Sequence, residues 1–460
     1  MKAINRRRFI HTSSAMAAFT IIPRYVLGGK GFTAPSAKLN IAGIGIGGVG
    51  KHFISSCADE GQNIIALCDV DHEVSRSVFE KHPKAVTYYD YREMLENEKG
   101  IDAVMIGTPD HSHAVIAMKA IRMKKHILCV KPLTKTIYDA RYLTKAAKNA
   151  GISTQVTASS RLHEGVLRNS EIIQAGVLGD VREIHSWTDR PWWPQGMSRP
   201  AGEDKIPETL KWDLWLGPAH ERPFKNEWEE GSLVLKQLKA KIMPYNNVYH
   251  PFNFRGWWDF GTGAMGDMGC HFFNRAFPCL KLRHPISVHA SSTAVFPETP
   301  PLAAIITYEF PERDGMPPAK LIWYEGGIQP PRPEELRDDE EMPANGTMFI
   351  GEKGKILNDR ILPESKAKEA EKLPKTLPRP QYPKGDIVVQ EWISAMKGGQ
   401  PASCNFDVAG ELTEVALLGN IATRTGKKIY WDPKNLKIPN NGDADSHIKE
   451  SYRSGWSLEE

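Results

Sequence analysis

The sequence predicts an α/β domain built on a parallel sheet, followed by an α+β domain with a large, mostly antiparallel open-faced sheet. Three observations predict it. From Lys38 onward, short apolar runs alternate with longer amphipathic ones, the rhythm of βαβ units. The first apolar run leads straight into a glycine-rich turn, and the next ends in an aspartate. Beyond about residue 160 the texture changes to strand-like runs separated by loops, with few helices.

The elements follow in order. "KLNIAGIGI", "NIIALCDVD", "IDAVMIGTP", "HILCVKPL" and "STQVT" read as strands of the first sheet. "VGKHFISSCAD", "HAVIAMKAIRMKK" and "YDARYLTKAAKNAG" read as helices between them. In the second part "VREIHSWTDR", "ISVHASSTAVF", "AAIITYEFP", "AKLIWYEGG" and "TMFIGEKGKIL" read as strands. The stretches 326–346 and 363–385, rich in proline and charge, read as surface loops. Two helices follow, "DIVVQEWISAMKGG" and "DVAGELTEVALLGNIATRTG". The expected organisation is a leader over 1–37, a first domain over 38–160, a second over 161–440 and a C-terminal tail over 441–460. There is no internal repeat.

The bulk numbers narrow the class. A chain of 460 residues supports two or three domains and a large core. With 41% hydrophobic and 25% charged residues, the composition is that of an ordinary soluble protein. The formal charge of +4 includes six cations within residues 1–37, which hold no acids, so the remainder sums to −2. No basic stripe points to nucleic acid. The leader "NRRRFIHTSSAMAAFTIIPRYVLGG" places Arg6 and Arg7 before Arg8, Phe9 and an apolar run of about ten residues, too short to span a bilayer. It reads as a twin-arginine export signal, which implies a periplasmic protein with no stable membrane span. The six cysteines are scattered without zinc spacing and read as buried thiols.

The glycine turn is Gly45-x-Gly47-x-x-Gly50, with Gly48 and Val49 inside it. The first glycine permits a tight turn, the second lets backbone approach a pyrophosphate, and the third lets helix and strand pack closely. The helix N-terminus offers free N–H groups to phosphate. Asp69 ends the next strand, 19 residues beyond Gly50. A carboxylate there binds the ribose hydroxyls of NAD and repels the 2′-phosphate of NADP. The expectation is a Rossmann domain that takes NAD in preference to NADP. "GTPDHSHA" puts Thr108, Pro109 and His111 at the carboxyl end of the sheet, where ligands bind. His111 and His113 stand two apart and diverge on a helix; one of them is a candidate hydrogen-bond partner near the nicotinamide, and no metal is expected. "LCVKPLT" places Lys131 and Pro132 at the next strand end, with Lys131 poised to hold a reacting oxygen.

Further on, "GWWDFGTGAMGDMGCHFFN" sets Asp267 four residues before His271, on one face of a helix. Two ligands alone fall short of a metal site.

On "GIGIGGVG", "ALCDVD", "GTPDHSHA", "VKPLT", "VLGDVREIHSW" and "GAMGDMGCHFFN", in that order, the chain resembles the Gfo/Idh/MocA family across about residues 38–432. The resemblance implies hydride transfer between a sugar or polyol hydroxyl and a nicotinamide cofactor, by a homo-oligomer (dimer or tetramer). It carries the family's Glu-Lys-Pro lysine onto Lys131 and its Asp-x-x-x-His onto Asp267 and His271. Two positions depart from the pattern: Val130 replaces the common glutamate, and Asn274 stands where an aspartate is frequent. In this reading His271 is the general base. Lys131 orients the hydroxyl and stabilises alkoxide charge, and Asp267 binds a neighbouring hydroxyl and orients the pair. Eight of the twelve tryptophans lie between Trp187 and Trp258. Flat rings suit sugar faces, so Trp257 and Trp258, with Arg190, Arg255 and Asn274, are candidates to line the substrate pocket. The leading expectation is an exported NAD(P)-dependent oxidoreductase with a tightly bound cofactor. Its alternatives are a glycosidase or lyase working through a transient keto-sugar, and a non-catalytic nucleotide- and sugar-binding sensor. The joint presence of Lys131, Asp267 and His271 argues against the sensor.

Overall fold

The computed structural model describes residues 38–240 and 246–459; the expected export signal over 1–37 lies outside the described residues. The first sheet has six strands: β1 (Asn40–Ile44), β2 (Asn63–Cys68), β3 (Val86–Tyr88), β4 (Ala103–Ile106), β5 (His126–Cys129) and β6 (Thr154–Val156). They lie in the order β3-β2-β1-β4-β5-β6, all parallel. The order reverses between β1 and β4, and ligands bind beyond the strand ends at such a crevice. Central strands of a parallel sheet are covered on both faces, which is why β4 is an unbroken apolar run, buried at every residue. Part of one cover comes from far along the chain. The helix Ile387–Met396 presses Val388, Val389 and Trp392 onto Ile41, Leu67 and Leu128. Asp386 caps that helix, accepting from the Val388 N–H at 2.9 Å.

The second sheet has eight strands: β7 (Val181–Trp187), β8 (Ser287–Ser292), β9 (Ala304–Phe310), β10 (Ala319–Glu325), β11 (Gly346–Gly351), β12 (Lys355–Leu357), β13 (Arg360–Leu362) and β14 (Ile429–Tyr430). Their order is β13-β12-β11-β7-β10-β9-β8-β14. Only β7 and β10 pair in parallel; every other pair is antiparallel. The predicted pairing of a Rossmann domain with a mostly antiparallel open sheet is therefore what the chain adopts. Alternation selects the inner face: Ala304, Ile306, Tyr308 and Phe310 are buried while their neighbours are half-buried. Against that face lie two helices, Cys270–Leu280 and Phe406–Thr425. Each buried aromatic ring there contributes about 2–3 kcal/mol of apolar burial. The outer face is partly covered by the stretch expected as a surface loop, whose Leu336 packs with Trp187, Tyr324 and Met348.

Residues between β7 and the Cys270 helix form a third packing unit around Trp212, Trp215, Trp228, Tyr249, Trp257 and Phe260. It is fixed to the first domain by backbone hydrogen bonds from His72 to Thr209 (3.2 Å) and from Lys211 to Val70 (2.8 Å). This unit forms one wall of the crevice. All six cysteines are buried and free. No helix among the described residues is long and apolar enough to cross a membrane.

Candidate active site

A cleft of about 310 Å³ opens at the β1–β4 crevice. Its floor is Gly45, Gly47, Gly48 and Val49. Gly45 has φ +73°, and a Cβ there would sit 2.6 Å from the Thr108 nitrogen. A Cβ on Gly50 would sit 2.1 Å from the Gly45 oxygen, so the helix Gly50–Asp59 starts hard against the turn, and Gly50 serves packing rather than the cleft wall. No side chain caps that helix start and no acid lies in its first turn. An uncapped helix N-terminus facing a cleft fits a pyrophosphate. Asp69, Thr108, Pro109 and Lys131 continue the lining. The buried Asp69 carboxylate is oriented by the turn itself: one oxygen accepts from the Ile46 N–H (2.8 Å) and Gly47 N–H (3.0 Å), the other from the Asp71 N–H (3.0 Å). These residues fit a dinucleotide.

The histidines of "GTPDHSHA" turn into the wall. His111 is buried with its ring nitrogens 3.2 and 2.9 Å from the Phe260 and Trp215 carbonyl oxygens, and burial pushes it down to about 4. It pins the aromatic unit to the first domain. His113 bridges the carbonyls of Pro132 and Thr108, each at 2.8 Å. It holds two cofactor-side turns together, and Pro132 contributes its backbone to that brace. Neither ring reaches the cleft as the sequence suggested.

At the far end of the cleft three parts of the chain converge. The Lys131 ammonium donates to an Asp267 carboxylate oxygen, and the Arg255 Nε donates to the same oxygen at 2.9 Å. Burial opposes ionisation of Asp267, but the charges of Lys131 and Arg255 overcome it and hold the carboxyl well below the usual range. Asp267 lies in a π-helical turn, Met265–Gly269, that runs into the helix Cys270–Leu280. The aspartate and His271 thus straddle a change of helix rather than sharing one regular turn; such π turns recur at functional sites. The His271 Nδ1 lies 3.3 Å from the Ser159 hydroxyl. Burial, then the charge of Lys131, push its imidazole down to about 3, with Arg275 and Arg190 acting in the same sense. His271 is thus held neutral beside a ring of cations.

The remaining candidates separate. Arg255 lines the cleft. Arg190 ion-pairs with Asp189 and lies 3.2 Å over the Trp192 ring. Asn274 accepts from the Arg161 Nε at 2.6 Å and donates to the Ser159 carbonyl, so it positions the loop that meets His271. Trp257 is fully buried and donates to the Val248 carbonyl (2.8 Å). Trp258 is buried beneath the Arg424 guanidinium. Trp257 is a packing residue of the aromatic unit, and neither ring lines the cleft. Of the eight tryptophans in this region only Trp192 is not buried.

Among the cleft residues that the sequence did not single out, two stand out. Asp110, in the quoted "GTPDHSHA", is buried in the lining and accepts from the Thr262 hydroxyl at 2.6 Å; burial pushes its carboxyl up. The strand-end argument that singled out Thr108 and Pro109 would have found it. Val130 packs among first-domain core residues and also lines the cleft without bringing a carboxylate, while Asp110 places a carboxyl group in the lining near Lys131. Trp456 also lines the cleft, and no sequence signal marks it. Among the described residues no group of three His, Cys, Asp or Glu side chains is arranged to hold a metal.

Residues 39–158 match the model of an oxidoreductase family described as having an NAD-binding Rossmann fold, Gfo/Idh/MocA. The first domain is thus similar to that family. The chain is 27% identical over 146 residues to the inositol 2-dehydrogenase of Salmonella typhimurium, covering 31% of this chain and 43% of that protein. It is 27% identical over 209 residues to the α-N-acetylgalactosaminidase of Shewanella oneidensis, covering 39% of this chain and 45% of that one. The matched segments thus span under half the length of these relatives. In fold the likeness is longer. The WlbA dehydrogenase of Bordetella pertussis, solved with NADH and UDP-GlcNAcA, superposes with a TM-score of 0.56 at 14% identity, covering 86% of this chain and 99% of that one. The likeness in fold therefore extends through the second sheet.

Proposed function

We propose that this chain is an NAD-dependent oxidoreductase that moves a hydride between a sugar or polyol hydroxyl and a nicotinamide held in the Gfo/Idh/MocA cleft. The observation that carries the reading is that Lys131, which lines the cleft, pairs with Asp267 and that both charges act on the buried His271 imidazole. When bound, the nicotinamide supplies the hydride acceptor. The substrate oxygen sits against Lys131, whose ammonium stabilises negative charge as it develops. Asp267 aims that ammonium and keeps Lys131 and Arg255 from repelling each other. His271, already neutral, takes the hydroxyl proton, and Asp267 is the neighbour that favours the imidazolium so formed. Ser159 holds the ring. Asp69 supports NAD over NADP, and the resemblance supports a homo-oligomer. The Arg6–Arg7 leader supports export to the periplasm. Free dinucleotide is scarce there, so the cofactor stays bound through turnover, and a second carbonyl substrate takes the hydride from the bound NADH to reset it.

A second reading has its own support. The relative named α-N-acetylgalactosaminidase matches over a longer stretch than the inositol dehydrogenase. The same residues serve oxidation of a sugar carbon, elimination across the neighbouring bond and return of the hydride. Incubation with hexoses, glycosides and inositols, following NADH absorbance and products together, separates the readings. Net NADH supports the dehydrogenase. Bond cleavage without net NADH supports the second reading. Protein that binds no nucleotide and turns over none of the panel overturns both.

A further inference from the structure

We propose that residues 447–459 form a strap that clamps the adenine half of the cofactor, with Trp456 as its closing wall. The inference rests on the NAD reading and adds to it a device for retention. Asp69 marks where the adenosine ribose lies, since a carboxylate at that strand end binds ribose hydroxyls. The Asp69 N–H donates to the Tyr88 carbonyl (3.1 Å), and beyond that contact Tyr89 and Tyr91 line the cleft together with Leu214 and Trp456. The last of these comes from the opposite end of the chain. The Arg92 guanidinium lies 4.8 Å from the Trp456 ring centroid and is itself held by Asp90 at 3.0 Å. A flat indole fixed in this way is a stacking surface for a base.

The strap is anchored on both sides of that ring, to different parts of the molecule. Three residues before it, Arg453 donates from Nε to the Gly217 carbonyl (3.0 Å) and from Nη1 to the Asp213 carboxylate (2.6 Å). The Arg453 backbone N–H donates to the Pro218 carbonyl at 3.0 Å. Two residues after it, Leu458 is buried in the first-domain core, and its carbonyl accepts from Arg122. Upstream, Lys135 pairs with Glu450. The strap therefore runs from the aromatic unit to the first domain, and Trp456 faces the cleft between the two anchors. Releasing the dinucleotide requires this bridge to lift, breaking the Arg453 contacts. A clamp of this kind suits an enzyme whose cofactor must survive many turnovers without resupply.

The test is the rate at which full-length protein loaded with NADH releases it into excess ADP-ribose, read by NADH fluorescence. Trp456→Ala is expected to release NADH about tenfold faster or more, the scale of one lost base–aromatic stack, and Trp456→Phe to stay near the parent rate. Arg453→Ala is expected to accelerate release severalfold. ADP-ribose affinity should fall in Trp456→Ala while affinity for nicotinamide mononucleotide holds, which a general loss of folding would not produce. Parent-like release from both alanine variants overturns the clamp and leaves the NAD reading standing. Parent protein that takes up neither NAD nor NADH overturns the NAD reading, and the clamp with it.

Discussion

The two ends of the cleft are built by different means. The floor of the cofactor end is made largely of backbone: a glycine turn and a helix start, with one carboxylate, Asp69, all within residues 45–69 and joined by N–H bonds from the turn. The opposite end is made of side-chain charge. Lys131 and Asp267 are 136 residues apart in sequence, and Arg255 and His271 complete a group that no local segment contains. Backbone donors are neutral and lose little when a neighbour changes. A buried charge network depends on every member, since removing one leaves its partners desolvated and unpaired. One end should therefore tolerate substitution with graded losses of affinity, and the other should fail abruptly.

The largest test of that contrast is Lys131→Met beside His271→Ala. Each is expected to lower kcat/KM by about a thousandfold or more, the combined scale of acid–base and electrostatic contributions. NADH affinity, measured by fluorescence titration, should stay within severalfold. Near-normal turnover in either variant would break the assignment of the charged end as the reacting one. A sharper comparison makes the same chemical change at both ends. Asp267→Asn leaves Lys131 and Arg255 buried without a counter-charge and is expected to cost about 3–5 kcal/mol in denaturant unfolding. Asp69→Asn keeps an acceptor for the turn N–H groups and is expected to cost about tenfold in NAD affinity, of the order of one hydrogen bond to a charged group. It should also reduce discrimination against NADP. Equal stability losses at the two sites would erase the distinction.

The same contrast explains what the sequence made legible. The glycine turn and Asp69 are contiguous, so their spacing reports their geometry directly. The parallel sheet was readable because both its faces are covered, which leaves whole strands such as Ala103–Ile106 apolar. Lys131, Asp267 and His271 were identified through family motifs, while their convergence rests on long-range packing that no spacing encodes. His111 and His113 looked like cleft residues because strand-end position was visible and side-chain direction was not; both rings turn to backbone carbonyls instead. The paired tryptophans 257 and 258 misled for a similar reason, since a Trp-rich segment reads alike whether it lines a pocket or fills a core. Trp456 reaches the cleft only because the C-terminal strap crosses from one packing unit to another.

The finest test of the charged end is its pH dependence. In the folded protein burial and Lys131 push His271 down to about 3, against 6.5 for the free side chain. Between those values the unfolded chain binds a proton at this position and the folded chain does not. Stability must therefore fall as pH is lowered through about 6.5, with a limiting slope of about 1.4 kcal/mol per pH unit for one group. His111, pushed down to about 4, contributes in the same direction. Asp267 also loses stability with acid, but its folded value is lowered from 3.8, so its contribution falls only below that value. Glu325 runs the other way, because burial raises its carboxyl to about 7, so its ionisation weakens the fold as pH rises. Absolute curves mix these terms, and the difference between the parent and His271→Asn isolates one of them. Urea unfolding between about pH 4 and 6 is expected to show the variant's slope smaller by close to one proton. Identical slopes would mean that the imidazole titrates in the folded protein as it does in water. The charged end would then hold no tuned base, and its difference from the cofactor end would reduce to the Lys131–Asp267–Arg255 cluster alone.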